Sequence, residues 1–416
     1  MDDSLSCRAG SGKAGNVLIR NVSILEPDRK NVRGGQDIRI VRGRIEEIGR
    51  NLQSPSGTDS ISGSGLFALP GLVDLHVHLV WDGGRAPVDT MLKEGMAFAA
   101  LRGVSNAIAS LRRGVTTIRD VGSPNDVAVD IARAFDSGLF PGPTVFPLGR
   151  ILQPTGGHVP EIGLVANGVQ EVTAAVRKLK ERGVSGIKMA STGGAYGPEE
   201  IGPAVYSFDE MKAIVEEAHR LNLKVSTHAL GPEGIRFSVD AGIDTIEHGA
   251  GIPSDVLKEM KRKGTVLVPT LAVYRMLAES EGMIPAEYVE KARRVAAWHQ
   301  DTFRSAIGEG VAIALGTDAG SPNFGPHPSV FRELEAMVEC GMDSWEAIAA
   351  ATCNAAAVLR MERTIGKVEA GFWADILLVE GNPEEDLKAL RRPFRIFKRG
   401  LAVEPFAEDE RFAERR

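Results

Sequence analysis

Between about residue 70 and residue 360 the chain alternates between short apolar runs, rich in β-branched residues, and longer stretches with helical spacing. The runs are LPGLVDLHVHL, VTTIRDVG, TVFPLGRIL, SGIKMAS, LKVSTHAL, DTIEHG, TVLVPT and VAIALGTDAG, eight in all. Between them, SFDEMKAIVEEAHRLN places Phe208, Met211, Val215 and Ala218 on one stripe, with Ser207 as the N-cap. SVFRELEAMVECG groups Phe331, Leu334 and Val338 and stops at Gly341. LKERG, MKRKG and IGEG each close a helical stretch just before the next apolar run. Strands this continuously apolar, separated by helices, require a parallel sheet covered by helices. Eight such units predict an α/β fold closed as a (β/α)8 TIM barrel over residues 69–362, rather than an open sheet.

The flanks differ. Residues 1–68 carry NVLIRNVSILEP, QDIRIVRGRIEEIG and DSISGSGLFAL, and residues 363–405 return to the style with GFWADILLVEGNP and PFRIFKRGLAV. Both read as short strands joined by turns, which predicts a small β-sandwich domain completed by the two chain ends. Residues 406–416 form a charged tail.

Two histidines, His76 and His78, sit one residue apart in the first run. Side chains alternate across a strand, so both point to one face. Such a pair is half of a metal site, or two core histidines satisfied by hydrogen bonds. In a (β/α)8 barrel the C-terminal strand ends face the active site. Of the eight histidines, His228 ends the fifth run and His248 the sixth. Lys188 interrupts the fourth, and Asp318 closes the eighth. Singly, such a lysine can snorkel outward and such an aspartate can cap a helix. Six such residues at one rim point instead to a metal centre. His219 and His299, in helical and charged surroundings, read as surface residues.

The order His-x-His, Lys, His, His, Asp along these strands resembles that of the amidohydrolase superfamily, in the branch with two metal ions bridged by a carboxylated lysine. ALPGLVDLHVHL and ATCNAAAVLRMERTIGKVEAGFWADILLV are similar to the family's entry into the barrel and its β-return. HVHL, GGH (Gly156, Gly157, His158), IKMASTGG and IEHG look most like prolidase-type members, which act on Xaa-Pro, Xaa-Arg or N-acyl amino acid substrates. The resemblance implies a hydrolase that releases a C-terminal amino acid with water activated between two divalent ions. His76, His78 and Asp318 would hold one ion and His228 and His248 the other. Lys188, as a carbamate formed with carbon dioxide, would join them, and Asp318 would act as general base. An ammonium between two cations would be repelled by both, which agrees with the carbamate. Neutral imidazoles and carboxylates suit zinc but also accept manganese, iron or cobalt.

For the substrate, the resemblance brings in His158. Relatives carry a tyrosine two residues after the strand-5 histidine, where this chain has Leu230, so a hydrogen bond to substrate would be missing. Tyr196 and Arg85 lie on rim loops and are candidate substrate contacts; His327, on another, reads as a capping or surface residue. Glu233, shortly after His228, keeps open a one-metal deaminase or ring hydrolase of a heterocycle. An esterase, lactonase or organophosphate hydrolase on the same two metals is also compatible, whereas a non-catalytic assembly protein would have dropped ligands that are all present.

A net charge of −6 gives no reason to expect nucleic acid or an anionic membrane as partner. No apolar run has the length of a secretory signal core at the start or of a membrane span elsewhere. Cys7, Cys340 and Cys353 make neither a disulfide framework nor a metal clip. The expectation is a cytoplasmic enzyme with a small-molecule substrate, homo-oligomeric as the resemblance implies.

Overall fold

The computed structural model describes residues 16–54, 57–197, 199–325 and 330–406; Cys7, His327 and residues 407–416 lie outside them. The chain is α/β. Strands β1 (Leu72–Val77), β2 (Val115–Asp120) and β3 (Thr144–Pro147) form one parallel sheet. A second parallel sheet holds β4 (Ile151–Gln153), β5 (Gly163–Val165), β6 (Gly186–Ala190), β7 (Lys224–Leu230), β8 (Thr245–Ala250) and β9 (Val266–Val268). Its order is β5–β4–β6–β7–β8–β9.

Two of the expected runs depart from regular strands. TVFPLGRIL breaks into β3 and β4, which belong to different sheets. Pro147 lacks a ladder donor and Gly149 turns the chain at φ 72°. VAIALGTDAG forms no regular strand: Ile313 bridges Leu267 of β9, and Ala319 bridges Val77 of β1. Ala314 N–H donates to Leu267 O and Leu75 N–H to Leu315 O, each at 3.0 Å. This segment therefore runs between β9 and β1 and delivers Asp318 beside His76. On the other side, Ser185 N–H donates to Pro147 O at 2.8 Å, tying the start of β6 to the end of β3.

Helices cover these sheets as their spacing dictates. Helix Phe208–Arg220 starts at Ser207, whose hydroxyl accepts the Glu210 N–H while the Glu210 carboxylate accepts the Ser207 N–H. It buries Met211, Ile214, Val215 and Ala218, at roughly 1.5–3 kcal/mol for each large side chain removed from water. Helix Val330–Glu339 ends before Gly341, which takes φ 101°.

Strands from both chain ends share one further, eight-stranded sheet. Ile376–Glu380 pairs antiparallel with Leu66–Pro70, which runs parallel to Asn16–Glu26. Val17, Ile19, Ile38, Ile40, Ile376 and Leu378, alternating along three strands, are buried in one cluster. LPGLVDLHVHL thus serves two sheets, with Gly71 at the junction, where a Cβ would lie 2.3 Å from the Thr116 hydroxyl. No helix among the described residues is long and apolar enough to cross a membrane.

Candidate metal centre and substrate pocket

His76, His78, Lys188, His228, His248 and Asp318 converge on one pocket of about 540 Å3, its open mouth included. Ring centroids lie 5.7 Å apart for His76 and His78, 4.9 Å for His76 and His248, and 4.6 Å for His228 and His248. One ligand atom each from His76, His248 and Asp318 falls within 4.8 Å of the other two.

Hydrogen bonds to groups that only accept fix three of the rings. Nδ1 of His76 lies 2.8 Å from Glu247 Oε2, and Nδ1 of His78 lies 3.0 Å from the Gly122 carbonyl. Both Nδ1 atoms therefore carry the proton, leaving Nε2 as a lone pair. On His228 it is Nε2 that donates, to Gly193 O at 3.2 Å, so Nδ1 is the free lone pair. The Nε2 atoms of His76 and His78 lie 3.6 and 3.5 Å from Asp318 Oδ1, which has no hydrogen-bond donor. Two lone pairs and a carboxylate oxygen facing one another repel unless a cation sits among them, so the donor set fits divalent ions.

Burial is the largest influence on His76, His228, His248, Lys188 and Asp318. It holds His76, His228 and His248 well below the usual imidazole range, aided by neighbouring cations and rings. It lowers Lys188 to about 8 against the pull of Glu247 and Asp318, and pushes Asp318 up to about 7 against a Ser321 hydrogen bond and the Lys188 charge. Lys188 is 1% exposed and its Nζ has no hydrogen-bond partner. A buried ammonium without partners is costly, and this brings loss of the Lys188 proton within reach of neutral pH.

The supporting shell contains residues that sequence reasoning missed. Glu247, fully buried, also takes Arg119 Nη2 at 2.7 Å, and Arg119 Nε donates to Leu75 O at 2.6 Å. His248 Nδ1 lies 2.7 Å from the Thr270 hydroxyl, and its ring meets Tyr274 edge-on at 5.3 Å. Trp81 stacks on His78 at 4.1 Å. His248, Thr270 and Asp318 all take left-handed backbone, with φ of 67°, 52° and 62°. Each such residue costs on the order of 1–3 kcal/mol and marks a constrained site.

His299, expected on the surface, is 1% exposed, and its Nε2 donates to His248 O at 2.8 Å. The reason is that it belongs to the buried stripe Val295, His299, Thr302 and Phe303 of helix Ala286–Glu309. His219 is exposed and paired with Asp244.

The outer pocket is walled by Trp81, Ile151, Val159, Ile162, Leu277 and Pro322, with His158, Tyr196, Tyr274 and Ser321 among its polar members. The His158 ring lies 4.2 Å from that of His228, and its Nδ1 pairs with Glu199, another residue missed from sequence. Burial pushes the Glu199 carboxyl up, but the His158 hydrogen bond and charge outweigh it and hold it below the usual range. Gly194 makes room for His158, whose Cε1 would lie 2.2 Å from a Cβ there. Tyr196 meets Tyr288 edge-on at 5.4 Å. Leu230 is fully buried behind the rim and Arg85 is exposed; neither lines this pocket. Glu233 is also exposed, and its carboxylate accepts the Ala204 N–H at 2.9 Å, away from the metal-site histidines.

A family model described as the amidohydrolase family matches residues 67–402. Ochratoxinase of Aspergillus niger is 31% identical over 387 residues, covering 82% of this chain and 78% of its own. Among solved structures, a Xaa-Pro dipeptidase with bound methionine superposes with a TM-score of 0.87 at 33% identity, over 94% of this chain and 100% of its own. A prolidase complexed with N-methylphosphonate-L-proline gives 0.86 at 28% identity, over 94% and 100%.

Proposed function

Because the chain belongs to the amidohydrolase family and resembles hydrolases of C–N bonds, we propose that it releases the C-terminal amino acid from an N-acyl amino acid or a dipeptide whose acyl side is apolar. The observation that carries this reading is the convergence of five acceptor or cation-seeking side chains around the unpartnered, buried Lys188 Nζ.

His76, His78, His228, His248, Asp318 and Lys188 would hold two divalent ions, zinc first among them. Bound ions would supply an activated water and a Lewis acid. Low amine basicity suits Lys188 for carbamate formation: the neutral Nζ bonds to the carbon of carbon dioxide and one N–H proton leaves to water. The resulting anion has two oxygens to share. Asp318 takes the proton of the attacking water on its carboxylate and returns it to the leaving amine. His158, oriented by Glu199, receives the substrate carboxylate. Trp81, Ile151, Ile162 and Leu277 exclude water around the acyl group. The relatives support the same division: one is named ochratoxinase, one a Xaa-Pro dipeptidase, and one is a prolidase complexed with N-methylphosphonate-L-proline.

For the scaffold, we read β1 to β9 and segment 311–320 as a (β/α)8 barrel beside a small β-domain of both chain ends. The Ile313 and Ala319 bridges and the Ser185–Pro147 bond support closure.

The test is amine release after loading with zinc and bicarbonate. The panel holds Xaa-Pro and Xaa-Arg dipeptides, N-acyl amino acids and aryl amides, with ammonia assayed on heterocyclic amines. Release of a C-terminal amino acid, fastest with an apolar acyl group, supports the proposal; ammonia alone overturns it in favour of a deaminase.

A further inference from the structure

A second cavity, about 540 Å3 with its mouth, opens at the opposite end of the central strands, where β6 and β7 begin. Lys224, Ser226 and His228 alternate along β7. The first two line this cavity and the third lines the metal pocket. Arg119, Ser226 and Thr245 form the floor, at 5%, 2% and 1% exposure. Lys224, Asn222 and Arg360 stand nearer the solvent.

Three features of this cavity seek an acceptor. The Ser226 hydroxyl is buried with no hydrogen-bond partner, a situation that native structures avoid. Arg119 spends one N–H each on Leu75 O, Thr245 Oγ1 and Glu247 Oε1, leaving two of its five donors. Lys224 and Arg360 form no ion pair among the described residues; Arg360 donates only to Asn222 Oδ1, at 2.5 Å. Asp244 and Glu362 act on the charge of Lys224 without pairing with it, and the Asp244 carboxylate is taken by His219 and the Val225 N–H. Phe146, Leu148, Val358 and Leu359 add apolar wall.

We propose that this cavity binds a small oxyanion, a short-chain carboxylate or inorganic phosphate, between Lys224 and Arg360 at its mouth and Ser226 and Arg119 at its floor. The proposal does not depend on the substrate reading above. An oxyanion there shares Arg119 with Glu247, and Glu247 in turn holds His76, so occupancy bears on the metal centre through one guanidinium.

Isothermal titration of the metal-loaded enzyme with inorganic phosphate, and separately with butyrate, tests it. Wild type is compared with the Lys224→Met/Arg360→Met double variant and with Ser226→Ala, each checked for a native Tm and for unchanged amide hydrolysis without added anion. The expected result is a binding event that weakens about 10-fold or more in the double variant, as loss of charge-assisted hydrogen bonds dictates, and more modestly in Ser226→Ala. Tighter butyrate binding assigns a carboxylate, and tighter phosphate binding assigns phosphate. Isotherms that are the same in wild type and both variants, as anions bound only at the metals would give, overturn the proposal. So does the absence of binding at millimolar anion.

Discussion

The Glu247 carboxylate lies 2.8 Å from Nδ1 of His76, and both residues are cut off from solvent. Arg119 holds the other carboxylate oxygen at 2.7 Å. Glu247 sets the tautomer that turns the His76 Nε2 lone pair into the metal pocket. Glu247→Gln is expected to weaken metal binding about 10–100-fold, the usual cost of losing a partner behind a ligand histidine. Competition with a chromophoric chelator measures it. Wild-type affinity would remove Glu247 from the support of the site.

Lys188→Ala is expected to lose both bound metal and turnover, with metal content read by atomic emission. Short-chain carboxylic acids should restore part of the activity by standing in for the carbamate. Full activity in this variant would end the two-metal reading.

His158→Ala is expected to raise KM for substrates with a free carboxylate roughly 10–100-fold, the worth of a hydrogen bond to a charged group. Methyl esters of the same substrates should be nearly unaffected. Equal losses on acid and ester would assign His158 a different role.

Glu233→Gln is expected to leave amide hydrolysis within about twofold and stability within about 0.5 kcal/mol, as for other exposed positions. Its carboxylate serves the Ala204 N–H. A collapse of turnover would revive the deaminase reading.

Glu333 gives a pH signature of stability from outside the lining of the metal pocket. Its buried carboxylate accepts the Leu271 and Ala272 N–H groups, yet burial still pushes it from 4.5 up to about 8. Between those values the folded chain holds a proton that the unfolded chain has released. Stability therefore falls as pH rises from about 5 to about 8 and levels off above. Glu333→Gln should flatten that slope in urea titrations run across the range; an unchanged slope would place its origin elsewhere.

What could be read from the sequence was governed by local periodicity. The two-residue repeat of a strand puts His76 with His78, and Lys224 with Ser226 and His228, whatever surrounds them. The helical repeat and the Ser207–Glu210 capping pair likewise act within one turn. The same repeat, continued into helix Ala286–Glu309, would have shown His299 in register with Val295 and Thr302; its charged neighbours masked that signal.

Tertiary structure decided the rest. Glu247 and His248 are consecutive, and a regular strand would send them to opposite faces. A left-handed turn at His248, with a register shift against β7, lets both serve one centre. Arg119 and Glu199 join through contacts more than 40 residues apart in the chain, and Arg85 on its loop, Leu230 at the end of β7 and Glu233 in the helix after it are kept out of the pocket by packing that no short-range pattern encodes. Periodicity fixes the side of an element on which a residue lies. Where the chain bulges, and which loop lies against which, depend on packing between distant segments, and that exists only in the folded chain.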